Sequence, residues 1–104
     1  KKPRNVYLLK ITVNKKIWLK LGYAKEIENR RKEYGLPKRA KTELLKVVNF
    51  KTGDDAHNFE AAVHSKYIRK RLKMKIMEKF HTRSGANECY PIQMEDVLLE
   101  ELSE

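Results

Sequence analysis

Val6 to Val13 (VYLLKITV), Asn14-Lys15, and Ile17 to Tyr23 (IWLKLGY) form the stretch whose reading decides the fold. The first segment is β-branched, aromatic and apolar, as a largely buried strand should be. The last repeats that character. Asn14-Lys15 supplies a two-residue connection, so the whole reads as an N-terminal hairpin. A two-residue turn puts Lys20 opposite Leu9 and makes Tyr7 and Lys20 diagonal neighbours on one face. A three-residue turn would send them to opposite faces.

Outward from the hairpin, Glu26 to Tyr34 (EIENRRKEY) has acidic residues in its first turn and Gly35 as a stop, which predicts a short helix. Gly35-Leu36-Pro37 breaks the chain, and Leu44 to Phe50 (LLKVVNF) predicts a third strand. Thr52-Gly53-Asp54-Asp55 is a turn able to cap a helix that begins near Asp55 and runs at least to Leu72. Ala56, Phe59, Val63 and Tyr67 give that helix one apolar face. Lys73 to Phe80 either extends it or forms a second helix. His81 to Asn87 (HTRSGAN) is a loop, Glu88-Cys89-Tyr90 a short strand closed by Pro91, and Met94, Val97, Leu98 and Leu102 mark a last helix. The expected fold is α+β: a small antiparallel three-stranded sheet flanked by helices, in the order β-β-α-β-α-α.

With 104 residues the chain has room for one core, hence a single domain over residues 1–104. Its start at Lys1, without a methionine, is compatible with a fragment of something longer. Twenty-four Lys and Arg against fourteen Asp and Glu leave a net charge of +10. A charge of that sign draws polyanions, with nucleic acid first. No apolar run approaches membrane-spanning length and no signal peptide is visible, so no membrane partner is expected. The lone Cys89 excludes an internal disulfide and a multi-cysteine zinc site. Its thiol reads as packing rather than as a nucleophile.

Four residues carry the candidate chemistry. Tyr7 shares a strand face with Leu9 and Ile11. Lys20 is a charge inside an apolar strand, two residues before Gly22. Arg30 lies on the inward stripe of the first helix, although Arg31 satisfies nearly the same spacing. Glu60 borders the arc of Phe59, Val63 and Tyr67, an expensive position for a carboxylate unless it binds a cation. His57 and His64 flank Glu60 on the same side. A zinc site built from those three is disfavoured, because ligands at such offsets on one helix rarely converge on one tetrahedral ion. Each of these residues taken singly has an ordinary alternative as solvated surface or satisfied core.

Asn5-Val6-Tyr7, followed after a hairpin by Lys20-Leu21-Gly22, resembles the two tripeptides that name the GIY-YIG nucleases. The likeness is greatest to the phage and bacterial branch with Lys-Ile-Gly in place of Tyr-Ile-Gly. Arg30 and Glu60 fall where that family carries a catalytic arginine and a metal-binding glutamate, and Glu88-Cys89-Tyr90 is similar to a late Glu-aromatic-aromatic element. The resemblance implies DNA hydrolysis with one Mg²⁺ (or Mn²⁺) held by Glu60. It implies that Arg30 clamps phosphate oxygens and that Tyr7 positions the attacking water and takes its proton. Lys20 would be the cation that assists Tyr7, or would bind the water itself. Tyr34, His64 and Asn87 would support these groups from behind.

The run Lys66 to Lys75 (KYIRKRLKMK) carries six basic residues. Lys66, Arg69, Lys70, Arg71 and Lys73 are the expected contacts to the DNA backbone. The expectation is therefore a metal-dependent endonuclease on double-stranded DNA, its specificity supplied by an additional recognition domain or a dimer partner. It would work in the cytoplasm, nucleoid-associated through DNA, or as a phage protein in the host cytoplasm. The rival from another class is a catalytically inactive nucleic-acid-binding module on the same fold. Tyr7, Lys20, Arg30 and Glu60 are expected to share one pocket, with Tyr7 and Glu60 on the same side of the sheet.

Overall fold

Asn14, with φ 56°, takes the left-handed conformation that asparagine tolerates, and the chain reverses within two residues. Strands β1 (Arg4–Val13) and β2 (Lys16–Ala24) therefore pair antiparallel, with Val13 opposite Lys16, Leu9 opposite Lys20 and Tyr7 opposite Gly22. Of the two registers the sequence allows, this is the one that puts Tyr7 and Lys20 on one face. The computed structural model describes residues 4–27, 32, 34–81 and 88–103.

Strand β3 (Lys41–Phe50) pairs with the other side of β1, and β4 (Cys89–Pro91) pairs with β2, giving the order β3-β1-β2-β4 with every pairing antiparallel. The sheet thus has four strands and not three. The fourth is three residues long and ends in a proline, which cannot donate to a ladder, so its local signal is slight. A register shift opposite Leu8 and Leu9 leaves Leu45 as the extra residue of β3.

Both faces of the sheet are covered, which is why Val6, Tyr7, Leu8 and Leu9 are all buried in the central strand. On one face Val6, Leu8, Leu19 and Leu21 pack with Ala56 and Val63 of helix α1 (Gly53–Lys66) and with Leu98 of helix α3 (Glu95–Glu101). On the other, Tyr7, Leu9, Ile11, Trp18 and Cys89 pack with Tyr34 and with Met77 of helix α2 (Met74–Met77). Each such Leu or Val contributes about 1.5–3 kcal/mol through burial.

Thr52 caps α1 as its sequence predicts, its hydroxyl accepting from the Asp55 amide at 3.1 Å. The helix ends at Lys66, well short of Leu72, and a 3-10 turn (Ile68–Lys70) follows. After Tyr67 the next positions on the apolar stripe are Lys70 and Arg71, and further turns would stack like charges one turn apart. Lys73 to Phe80 yields the separate short helix α2, not an extension. Of the segment Glu26 to Tyr34, Ile27 and Lys32 have helical backbone; residues 28–31 and 33 lie outside the described residues. No helix among the described residues is long and apolar enough to cross a membrane.

Candidate active site

The polar groups begin in the hairpin. Lys20, fully buried in β2, projects on the same face as Tyr7, and its ammonium stands 5.3 Å from the centroid of the Tyr34 ring. The Tyr7 and Tyr34 hydroxyls are hydrogen-bonded to one another, so Tyr34 supports Tyr7 directly. Gly22 leaves the space in which these groups meet. A methyl group at Gly22 would lie 2.8 Å from the Tyr7 hydroxyl and 3.3 Å from the Lys20 ammonium.

Glu60 and His64 arise on α1, which covers the opposite face of the sheet. Tyr7 and Glu60 therefore do not share one side, contrary to the expectation of a single pocket. The hairpin register fixes where Tyr7 points, whereas α1 is placed by Ala56 and Val63, and local periodicity contains neither relation. The two halves are joined around the edge of β2. Pairing with β4 stops at Lys20 opposite Cys89, and the next carbonyl, that of Leu21, accepts from the Lys20 ammonium at 3.3 Å. The His64 ring nitrogen Nε2 is 3.2 Å from the same oxygen. Glu88, just before β4, completes the join: its Oε1 accepts from the Lys20 ammonium, while its Oε2 is 3.9 Å from His64 Nε2.

Glu60 Oε2 is 3.8 Å from His64 Nε2, and ligand atoms of Glu60, His64 and Glu88 lie within 4.8 Å of one another. Glu60 is only 4% exposed, yet Oε2 has no hydrogen-bond partner among the described residues. Burying an uncompensated carboxylate oxygen costs several kcal/mol, which a cation would offset. The donor set of two carboxylates and an imidazole fits a divalent ion. Glu60, His64 and Glu88 open onto a cleft of about 330 Å³ that Ala61, Ser65, Ile68 and Arg71 also line.

Behind His64, the Tyr90 hydroxyl is 2.6 Å from Nδ1 and the two rings are nearly parallel at 6°. Burial pushes the Tyr90 phenol well above its ordinary range, so it stays protonated. Cys89, also buried, has its thiol pushed up to about 12, chiefly by burial, in keeping with a packing role. His57 is exposed and stands against the Tyr23 ring at 5.4 Å, away from the Glu60 cluster.

Arg69, Lys70 and Lys73 are exposed, Arg71 lines the cleft, and Lys66 is paired with Glu101 at 2.6 Å. Arg30 and Asn87 lie outside the described residues. Sequence reasoning missed Glu88 and Tyr90 as site residues. The available signal was Glu88-Cys89-Tyr90 read as a short strand, because any pairing with β2 beside Lys20 brings a carboxylate to a buried ammonium.

The chain belongs to the T5orf172 domain family, whose pattern matches residues 5–100. That family is distinct from the GIY-YIG nucleases and is linked to nuclease-like or DNA-binding activity. The GIY-YIG resemblance is corrected accordingly. It rested on two tripeptides in which only Tyr7 and Gly22 keep the name-giving letters, and on the placing of Arg30, Glu60 and Glu88-Cys89-Tyr90, which together do not single out that family. No curated protein and no solved structure gives a match.

Proposed function

We propose that this domain is a metal-dependent endonuclease that hydrolyses phosphodiester bonds of double-stranded DNA. The observation that carries the reading is the buried, unpartnered carboxylate oxygen of Glu60, facing His64 and Glu88 at a cleft that Arg71 lines. A net charge of +10 and the exposed Arg69, Lys70 and Lys73 supply attraction to the phosphate backbone.

A bound Mg²⁺ or Mn²⁺ would neutralise charge that develops on phosphate oxygens as the bond breaks. Glu60 would be its principal holder. Arg71, permanently cationic with a planar fork of donors, binds and orients phosphate oxygens in the cleft. Tyr7 is fully buried and lies on the far face of the sheet from Glu60. Lys20 would assist Tyr7 in taking the proton of the attacking water, the two groups meeting at the space that Gly22 leaves. Tyr34, bonded to the Tyr7 hydroxyl, holds that oxygen in place. Glu88 keeps the Lys20 ammonium turned toward the edge of β2.

Nicking of supercoiled plasmid with Mg²⁺ or Mn²⁺, by the wild type and by Glu60→Ala, tests the proposal. Cutting by the wild type that Glu60→Ala loses is the expected result. Equal cutting by both proteins refutes it. Tight DNA binding without cutting by the wild type would instead identify a non-catalytic binding module, and cleavage confined to single-stranded RNA would move the substrate class.

A further inference from the structure

His64 has more partners than a supporting residue needs. Its Nδ1 faces the Tyr90 hydroxyl at 2.6 Å, and its Nε2 faces three oxygens: the Leu21 carbonyl at 3.2 Å, Glu60 Oε2 at 3.8 Å and Glu88 Oε2 at 3.9 Å. A phenol can donate to Nδ1 or accept from it. The neutral imidazole can therefore carry its proton on either nitrogen. With the proton on Nε2 the ring donates to the Leu21 carbonyl. With the proton on Nδ1, donated to the Tyr90 oxygen, the Nε2 lone pair joins the carboxylate oxygens around one point.

Ligand atoms about 2.1 Å from a shared ion can be at most about 4.2 Å apart. The separations of 3.8 Å and 3.9 Å from Nε2 satisfy that limit; the whole set lies within 4.8 Å, so the two carboxylates need close by no more than about 0.6 Å to share the ion. Tyr90 occupies the place of the outer hydrogen-bond partner that fixes the tautomer of a metal-ligating histidine. The unpartnered Glu60 oxygen is aimed into the same space.

We propose that His64 Nε2 and Glu88 join Glu60 as protein ligands of one divalent ion, and that the imidazole biases this site toward Mn²⁺ and the later first-row ions over Mg²⁺. The inference rests on the nuclease reading only in taking this ion to be the one hydrolysis would use. Its chemistry is general. Mg²⁺ takes oxygen ligands and gives up water reluctantly, whereas nitrogen ligands favour transition ions, with affinity rising along the series.

Calorimetric titration of the full chain with MnCl₂ and with MgCl₂, without DNA, reads the preference directly. The wild type is expected to bind Mn²⁺ at least about tenfold more tightly than Mg²⁺. In His64→Gln the ratio should collapse toward one, while Glu88→Gln weakens both ions by roughly 10–100-fold. Nitrogen-15 NMR of the wild-type imidazoles under ZnCl₂ needs no variant and decides the matter if His64→Gln does not fold. The His64 Nε2 resonance should move on saturation while Nδ1 stays protonated. An unmoved Nε2, or an unchanged Mn²⁺/Mg²⁺ ratio in a folded His64→Gln, overturns the ligand set. Cutting with Mg²⁺ beside a silent His64 would sink this inference and leave the nuclease standing. Three-ligand binding with intact plasmid would do the reverse.

Discussion

Replacing Gly22 by alanine tests whether the meeting point of Tyr7 and Lys20 is built or incidental. Gly22 does not adopt positive φ, so its backbone accepts a side chain without strain. In an ordinary strand the change would stabilise the protein by about 0.4–1 kcal/mol, because alanine restricts the unfolded chain. Here the new methyl would sit 2.8 Å from the Tyr7 hydroxyl oxygen and 3.0 Å from its Cζ, where ordinary contact begins at 3.4 Å. The tyrosine must retreat by about 0.6 Å. It has no room to do so, being fully buried and bonded to the equally buried Tyr34. Overpacking of that kind costs about 1–3 kcal/mol, so the net effect is a loss of about 1–2 kcal/mol. In a domain of this size the melting temperature then falls by roughly 5–10 °C. Urea denaturation of the wild type, Gly22→Ala, Tyr7→Phe and the double variant supplies the assay. Removing the tyrosine oxygen should recover part of the loss, giving a favourable coupling energy between the two substitutions. A Gly22→Ala protein as stable as the wild type, or more so, refutes the reasoning.

Two further outcomes follow from groups outside the cleft. Lys66 and Tyr67 both donate to Glu101 Oε2 at 2.6 Å, tying the end of α1 to α3. The Lys66 hydrogen bond, followed by that of Tyr67, holds the Glu101 carboxyl below its ordinary value of 4.5. A depressed folded value means stability that is present above 4.5 and lost as pH falls through the lower folded value. Melting temperatures of the wild type and Glu101→Gln should therefore differ at neutral pH and converge in acid; a gap constant through the acid range contradicts this. The Cys89 thiol, raised to about 12 mainly by burial, should resist thiol reagents in the native protein and react in step with urea unfolding. Native labelling as fast as that of free cysteine would count against it.

The hairpin was legible because two independent signals agree in it: a two-residue connection containing asparagine, and apolar strands whose one buried charge fixes a face. The start of α1 was legible from Thr52, whose cap is a local event. Its end was not. The basic run after Lys66 keeps good helix formers in place, and what stops the helix is the loss of an apolar stripe together with like-charge crowding. The fourth strand was visible as a segment but not as a member of the sheet. A three-residue strand derives its stability from the edge it joins, and that edge is remote in sequence.

Much the same distinction governs the site. Lys20 and Glu60 were visible singly, each as a charge where periodicity places apolar groups. Their relation was not visible, because it depends on where one strand stops. Among the described residues β4 pairs with β2 only from Trp18 to Lys20, so the Leu21 carbonyl at the sheet edge takes Lys20 from one face and approaches His64 from the other. Another pair of residues in β4 would engage that edge in the ladder and carry Glu88 along with the strand. The short strand instead leaves Glu88 free to hold Lys20 with one oxygen and approach His64 with the other. Polar groups from opposite faces can therefore act together at this edge, although the sheet that separates them is otherwise packed on both sides. The premature end of β4 is what makes one site out of two halves.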